Sequence, residues 1–135
     1  MLNNEEEFDV EKWLEENYEN NYTSEHSTYL GKHFDISNRG VDFYNDNNTS
    51  IEFKECFTDK LRNQRFTLLK NQIEESDFFI FSLNYEEFHV IDSEFLREIY
   101  KFPRNLSKIR FGLLRKISIF ETNDIERLKD YVKAL

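Results

Sequence analysis

The chain predicts an α/β domain: a central mixed sheet flanked by helices, with extra strand and helix elements at its C-terminal end. Three features predict it. Segments of helical period lie near both ends, two strand-like segments are joined by the turn-forming run Asn45-Asp46-Asn47-Asn48, and a compact apolar run spans Ser76 to Leu83. With 135 residues, 39% of them hydrophobic and 14 of them Phe, the chain suits one domain large enough to bury a real core and is too short for two ordinary domains.

The first element reads as a helix from about Glu5 to Asn21. Phe8, Trp13, Leu14 and Tyr18 fall near one side of it, and Glu5, Glu6 and Glu7 suit its positive N-terminal end. Ser27 to Ile36 has strand character, with Tyr29, Leu30, Phe34 and Ile36 separated by polar residues. Gly40 to Tyr44 and Thr49 to Phe57 flank the Asn/Asp run as the arms of a β-hairpin. Side chains alternate along a strand, so Ile51, Phe53 and Glu55 point one way and Glu52, Lys54 and Cys56 the other.

A helix is expected from Thr58 to about Glu75, on an apolar stripe that includes Leu61, Phe66, Leu68, Leu69 and Ile73. Ser76 to Leu83 reads as a buried strand, with Glu87 to Ile91 as its partner across an Asn84-Tyr85 turn. Asp92 or Ser93 then caps a short helix that ends near Tyr100. A strand is expected at Arg115 to Phe120, and a last helix from about Asn123 to Leu135 with Ile125, Leu128, Tyr131 and Val132 on one face. The domain core is placed at about residues 5–91, and a basic extension at about 92–135.

Composition excludes several classes. The single cysteine, Cys56, rules out an internal disulfide scaffold and a multi-cysteine zinc site. An acidic start and the lack of any long apolar window point to a cytoplasmic chain with no membrane partner. The net charge of −9 is unevenly spread. Residues 1–30 hold nine acids and one base, whereas residues 96–118 hold seven bases (Arg97, Lys101, Arg104, Lys108, Arg110, Arg115 and Lys116) and one acid. Lys60, Arg62, Arg65 and Lys70 add a second acid-free stretch. Local basic surface can bind phosphate even on an acidic molecule.

The chemistry sits in the hairpin. Asp42 on the first arm and Glu52 on the second meet on one sheet face, and Lys54, two residues on, shares that face. Adjacent carboxylates repel unless a cation lies between them, and a hard ion such as Mg²⁺, with Mn²⁺ as a substitute, favours carboxylate and phosphate oxygens. The Phe53 backbone carbonyl is placed to add a ligand. Lys54 suits a group that orients or deprotonates a water and stabilises a phosphodiester under attack.

Asp42 followed by Glu52-Phe53-Lys54 on adjoining arms resembles the PD-(D/E)XK superfamily of restriction-endonuclease-like nucleases, over about residues 5–91. The resemblance implies an αβββαβ core and Mg²⁺-dependent endonucleolytic hydrolysis of DNA, restriction-type or junction-resolving. In it Asp42 and Glu52 are metal ligands and Lys54 is the catalytic lysine. Val41 stands where the family has Pro. Members that add a first-helix Glu would find Glu7 or Glu11 here. Those with a Gln or basic residue on the helix after the motif would find Gln64, Arg65, Lys70 or Gln72.

The expected partner is DNA, contacted by segments 60–70 and 97–116, with a homodimer needed to cut both strands. The −9 charge supports a second reading, in which the fold is kept without activity and the acidic first helix binds a basic protein. His33 with Asp35, and His89 with Asp92, are further acid–base pairs to be placed.

Overall fold

A computed structural model describes residues 29–36, 40–60, 63–101 and 105–135. Among them is a 3₁₀ turn, Leu30–Lys32, followed by β1 (Phe43–Tyr44), β2 (Ser50–Cys56), β3 (Arg65–Leu69) and α1 (Lys70–Glu75). Then come β4 (Phe78–Leu83), β5 (Glu87–Asp92), α2 (Ser93–Ile99), β6 (Leu106–Arg110), α3 (Phe111–Ile117), β7 (Phe120–Thr122) and α4 (Ile125–Lys133). The helix expected at 5–21, with Glu7 and Glu11, lies outside the described residues.

The fold is α/β. Five strands form a mixed sheet in the order β1-β2-β4-β5-β7, in which β2 and β4 run parallel and the other neighbours antiparallel. Helices pack on both faces, and alternation along each strand sorts its side chains between two cores. On one face Phe79, Phe81, Leu83 and Ile91 pack with Ile73 of α1, Leu96 of α2, and Phe111 and Leu114 of α3. On the other, Ile51, Phe53, Ile80, Phe88 and Val90 pack with Leu30, Phe34, and Leu128 and Val132 of α4. The expected split of β2 holds: Ile51 and Phe53 join the second core, while Cys56 packs against the first.

Local chemistry explains the turns. Asn45 Oδ1 accepts the N–H groups of Asn47 and Thr49, and Asn48 adopts a positive φ of 62°, which closes the hairpin between β1 and β2. Asn84 and Tyr85 also have positive φ values, 56° and 61°, with Glu86 N–H donating to the Leu83 carbonyl. That is the primed turn favoured between tightly twisted antiparallel strands, and it joins β4 to β5. Asp92 and Asp124 cap α2 and α4 by accepting from Glu94 N–H and Glu126 N–H.

Three expected elements differ. Within Ser27–Ile36, the described residues 29–36 form a turn rather than a strand, and Glu55 accepts the Tyr29 and Leu30 N–H groups at 3.2 and 2.8 Å. The helix expected from Thr58 to Glu75 is helical only from Lys70. Arg65–Leu69 is a strand with Phe66 and Leu68 inward, paired to β6 in a separate two-stranded ribbon. The strand expected at Arg115–Phe120 is helix as far as Ile117, because Phe111 and Leu114 bury one helical face. Residues beyond 91 supply side chains to both cores and β7 to the main sheet. No helix among the described residues is long and apolar enough to cross a membrane.

Candidate active site

The register of the hairpin places the site. β1 pairs with β2 through Phe43↔Ile51 and Tyr44↔Ser50, so one further step sets Asp42 across from Glu52. The ladder stops there. A longer β1 would take the Phe53 N–H on its backbone, whereas Asp42 Oδ2 takes it at 2.9 Å. In extended backbone a residue's N–H and C=O point to the same edge. The Phe53 carbonyl therefore faces this open edge beside Asp42.

Glu52 is 6% exposed. Its Oε2 accepts from Gln72 Nε2 at 3.2 Å, while its Oε1 is buried and has no hydrogen-bond donor. Burial first, and then the neighbouring Asp42 carboxylate, push the Glu52 carboxyl up to about 9. Lys54 follows on the same strand face; burial pulls its ammonium below the usual lysine value, against the opposing pull of Glu52 and Asp42. The three residues singled out in the sequence thus lie in one electrostatically coupled group. Among the described residues, no cluster of three or more His, Cys, Asp or Glu side chains has the arrangement of a metal site.

Gln72 was one of four side chains between which sequence spacing could not choose. Of the four, it is the one that hydrogen-bonds Glu52. Gln72 Oε1 accepts the Leu69 N–H at 3.2 Å while Nε2 reaches Glu52, so the amide ties the end of β3 to the buried carboxylate. Gln64 instead donates to the Thr58 carbonyl, and Arg65 and Lys70 are exposed. Asp77, which the sequence did not flag, fixes the start of β2: its carboxylate accepts the Ser50 N–H, and its own N–H donates to Ser50 Oγ.

The histidine pairs separate from this site. His33 packs against the Tyr29 ring. His89 is fully buried between Glu87 at 2.7 Å and Ser118 at 3.1 Å, and Asp92 serves as a helix cap instead. Burial raises the Cys56 thiol above its usual pKa, which keeps it protonated and weakly nucleophilic. An open surface depression lined by Asn84, Glu86, Glu87, Glu121 and Asn123 lies elsewhere. No protein-family model, curated protein or solved structure matches the chain.

Proposed function

We propose that this chain is a Mg²⁺-dependent endonuclease of the PD-(D/E)XK type, hydrolysing DNA phosphodiester bonds in a restriction-type or junction-resolving reaction. The observation that carries the reading is the hairpin register that sets Asp42 against Glu52, with Lys54 on the same face. The strand–turn–strand of β1 and β2, followed by a crossover to the parallel strand β4, supports a restriction-endonuclease-like core. The third strand of an αβββαβ order, expected before the hairpin, is the departure.

The residues fit a divalent cation. A buried Glu52 oxygen without a donor, a facing carboxylate and an outward Phe53 carbonyl form an incomplete oxygen cage. Mg²⁺ typically takes one or two carboxylates and completes its shell with water and phosphate oxygens, so a larger protein ligand set is not required. Bound there, the ion supplies positive charge for the phosphodiester and lowers the pKa of water. Asp42, Glu52 and the Phe53 carbonyl would hold it, and Mn²⁺ would serve as an alternative occupant. Gln72 keeps Glu52 from rotating away. Lys54 orients the attacking water, accepts its proton or stabilises charge on the phosphorus oxygens, and its depressed pKa brings it nearer the range where proton transfer is efficient.

Each chain carries one such group, so cutting both strands of a duplex calls for a homodimer. The test is incubation with plasmid, linear and branched DNA in Mg²⁺ or Mn²⁺. Wild type is expected to cut at least one substrate, and Asp42→Ala, Glu52→Ala and Lys54→Ala to cut none. A wild-type protein that cuts nothing under these conditions refutes the enzyme reading and leaves an interaction module built on the same fold.

A further inference from the structure

The two basic stretches of the sequence meet in the structure. β3 and β6 pair antiparallel in the register Arg65↔Arg110, Phe66↔Ile109, Thr67↔Lys108, Leu68↔Ser107 and Leu69↔Leu106. Phe66, Leu68 and Ile109 turn inward and pack over Phe79 and Phe81 of the main sheet. Arg65, Thr67, Leu69, Leu106, Lys108 and Arg110 are exposed on the opposite face of the ribbon.

Not every base in these stretches is free. Arg97 donates to the Ile73 and Ser76 carbonyls, and Arg115 bonds both oxygens of Glu87. Those two guanidinium groups are internal staples. Among the described residues, no carboxylate lies within ion-pair distance of Arg65, Lys108 or Arg110. Glu74 and Glu75 on α1 follow the Leu69 end of the ribbon, and Asp59, six residues before Arg65, makes no ion pair with any of the three bases.

Arg65 and Arg110 occupy directly opposed positions, which places like charges at about 5 Å between Cβ atoms and destabilises the free ribbon. A polyanion laid across this face removes that repulsion. The major groove of B-DNA admits a two-stranded ribbon, and a row of Arg and Lys along one meets its phosphates. The ribbon is also wired to the catalytic group, since Leu69 at its end bonds Gln72 and Gln72 bonds Glu52.

We infer that the outward face of the β3–β6 ribbon, through Arg65, Lys108 and Arg110, is the surface that grips the phosphate backbone of duplex DNA. The choice of DNA as the polyanion rests on the nuclease reading; the presence of an anion-binding face does not.

The experiment measures fluorescence anisotropy of a labelled 20-base-pair DNA duplex with the full chain in EDTA, where no cleavage occurs, across a salt titration. Each phosphate contact contributes about 0.9 to the slope of log affinity against log salt. The triple variant Arg65→Gln/Lys108→Gln/Arg110→Gln is expected to lose about 2.7 of that slope, so that a fourfold rise in salt costs wild type about forty times more affinity than the variant. Arg65→Gln alone should lose about 0.9. Lys133→Gln, an equal charge change on α4, should leave the slope unchanged. The melting temperature supplies an independent sign: removing the opposed arginines should keep it at or above the wild-type value.

A triple variant with the wild-type slope overturns the inference, as does a wild-type protein that binds no duplex. Tighter binding of RNA or single strands overturns the assignment to duplex DNA. If the duplex binds through the ribbon yet Mg²⁺ produces no cleavage, the nuclease reading fails and the ribbon stands.

Discussion

Gln72→Met tests whether the site is held in place from outside its own hairpin. The substitution keeps side-chain volume nearly constant and removes two hydrogen bonds, from Leu69 N–H and to Glu52 Oε2, each 3.2 Å long. The two losses are unequal. Leu69 is 38% exposed, so water can replace its partner, whereas Glu52 is 6% exposed and its other oxygen already lacks a donor. Leaving a buried acceptor unpaired costs about 1–3 kcal/mol. For a domain of this size that lowers the melting temperature by roughly 4–12 °C. Removing a partner that orients a metal-binding carboxylate typically costs about 10–100-fold in metal affinity or activity.

The assay is plasmid cleavage against Mg²⁺ concentration, with thermal unfolding followed by circular dichroism on the same samples. The half-saturating Mg²⁺ concentration should rise about tenfold or more, and high Mg²⁺ should restore most of the rate. Duplex binding in EDTA should be unchanged. An unaltered Mg²⁺ requirement, or a rate loss that saturating Mg²⁺ does not touch, refutes the positioning role.

Other consequences follow from the same geometry. Hydrogen bonds from Arg115, outweighing burial and aided by His89, hold the Glu87 carboxyl down at about 2, against an ordinary 4.5. A depressed carboxylate stabilises the fold fully above the unfolded-state value and loses that contribution as pH falls toward 2. The stability gap between wild type and Glu87→Gln in urea titrations should be level from neutral pH to about 5, then close in acid. It should not exceed about 1 kcal/mol, because the pair is more than a third exposed and screened; a gap that widens in acid contradicts the assignment. Asn45 is buried and joins the hairpin turn to the chain's last residues, its Nδ2 donating to the Val132 and Leu135 carbonyls at 2.9 and 3.1 Å. Asn45→Ala should cost about 2–4 kcal/mol by chemical denaturation, and a loss below about 1 kcal/mol would show that the turn holds without it.

What the sequence reveals here depends on how local the determining interactions are. The β1–β2 turn and the Asp92 cap are set by side chains bonding backbone within a few residues, and both are legible from the local sequence. The pairing of Asp42 with Glu52 is legible for the same reason, because a short turn fixes the register. The β3–β6 ribbon is not, since its partner strands lie about forty residues apart. Arg-Phe-Thr-Leu-Leu fits a helical stripe as well as an alternating strand, and only Ile109 and Phe111 arriving alongside decide between them. Gln72 was visible as a candidate but could not be chosen, because the distance to Glu52 depends on β3 being extended. Sequence spacing pairs His89 with Asp92, whereas its partners in the fold are Glu87 and Ser118, the latter brought up by the packing of β5, β7 and α3.

The central claim is that Asp42, Glu52 and Lys54 form a divalent-cation-dependent phosphodiesterase site. The most direct measurement is Mg²⁺-dependent DNA cleavage by the isosteric variants Asp42→Asn and Glu52→Gln and by Lys54→Met, each first shown to keep wild-type circular dichroism and duplex binding in EDTA. Cleavage by wild type that is abolished in all three folded, binding-competent variants is the predicted result. Cleavage that persists in any of them, or that proceeds in wild type without a divalent ion, contradicts the account.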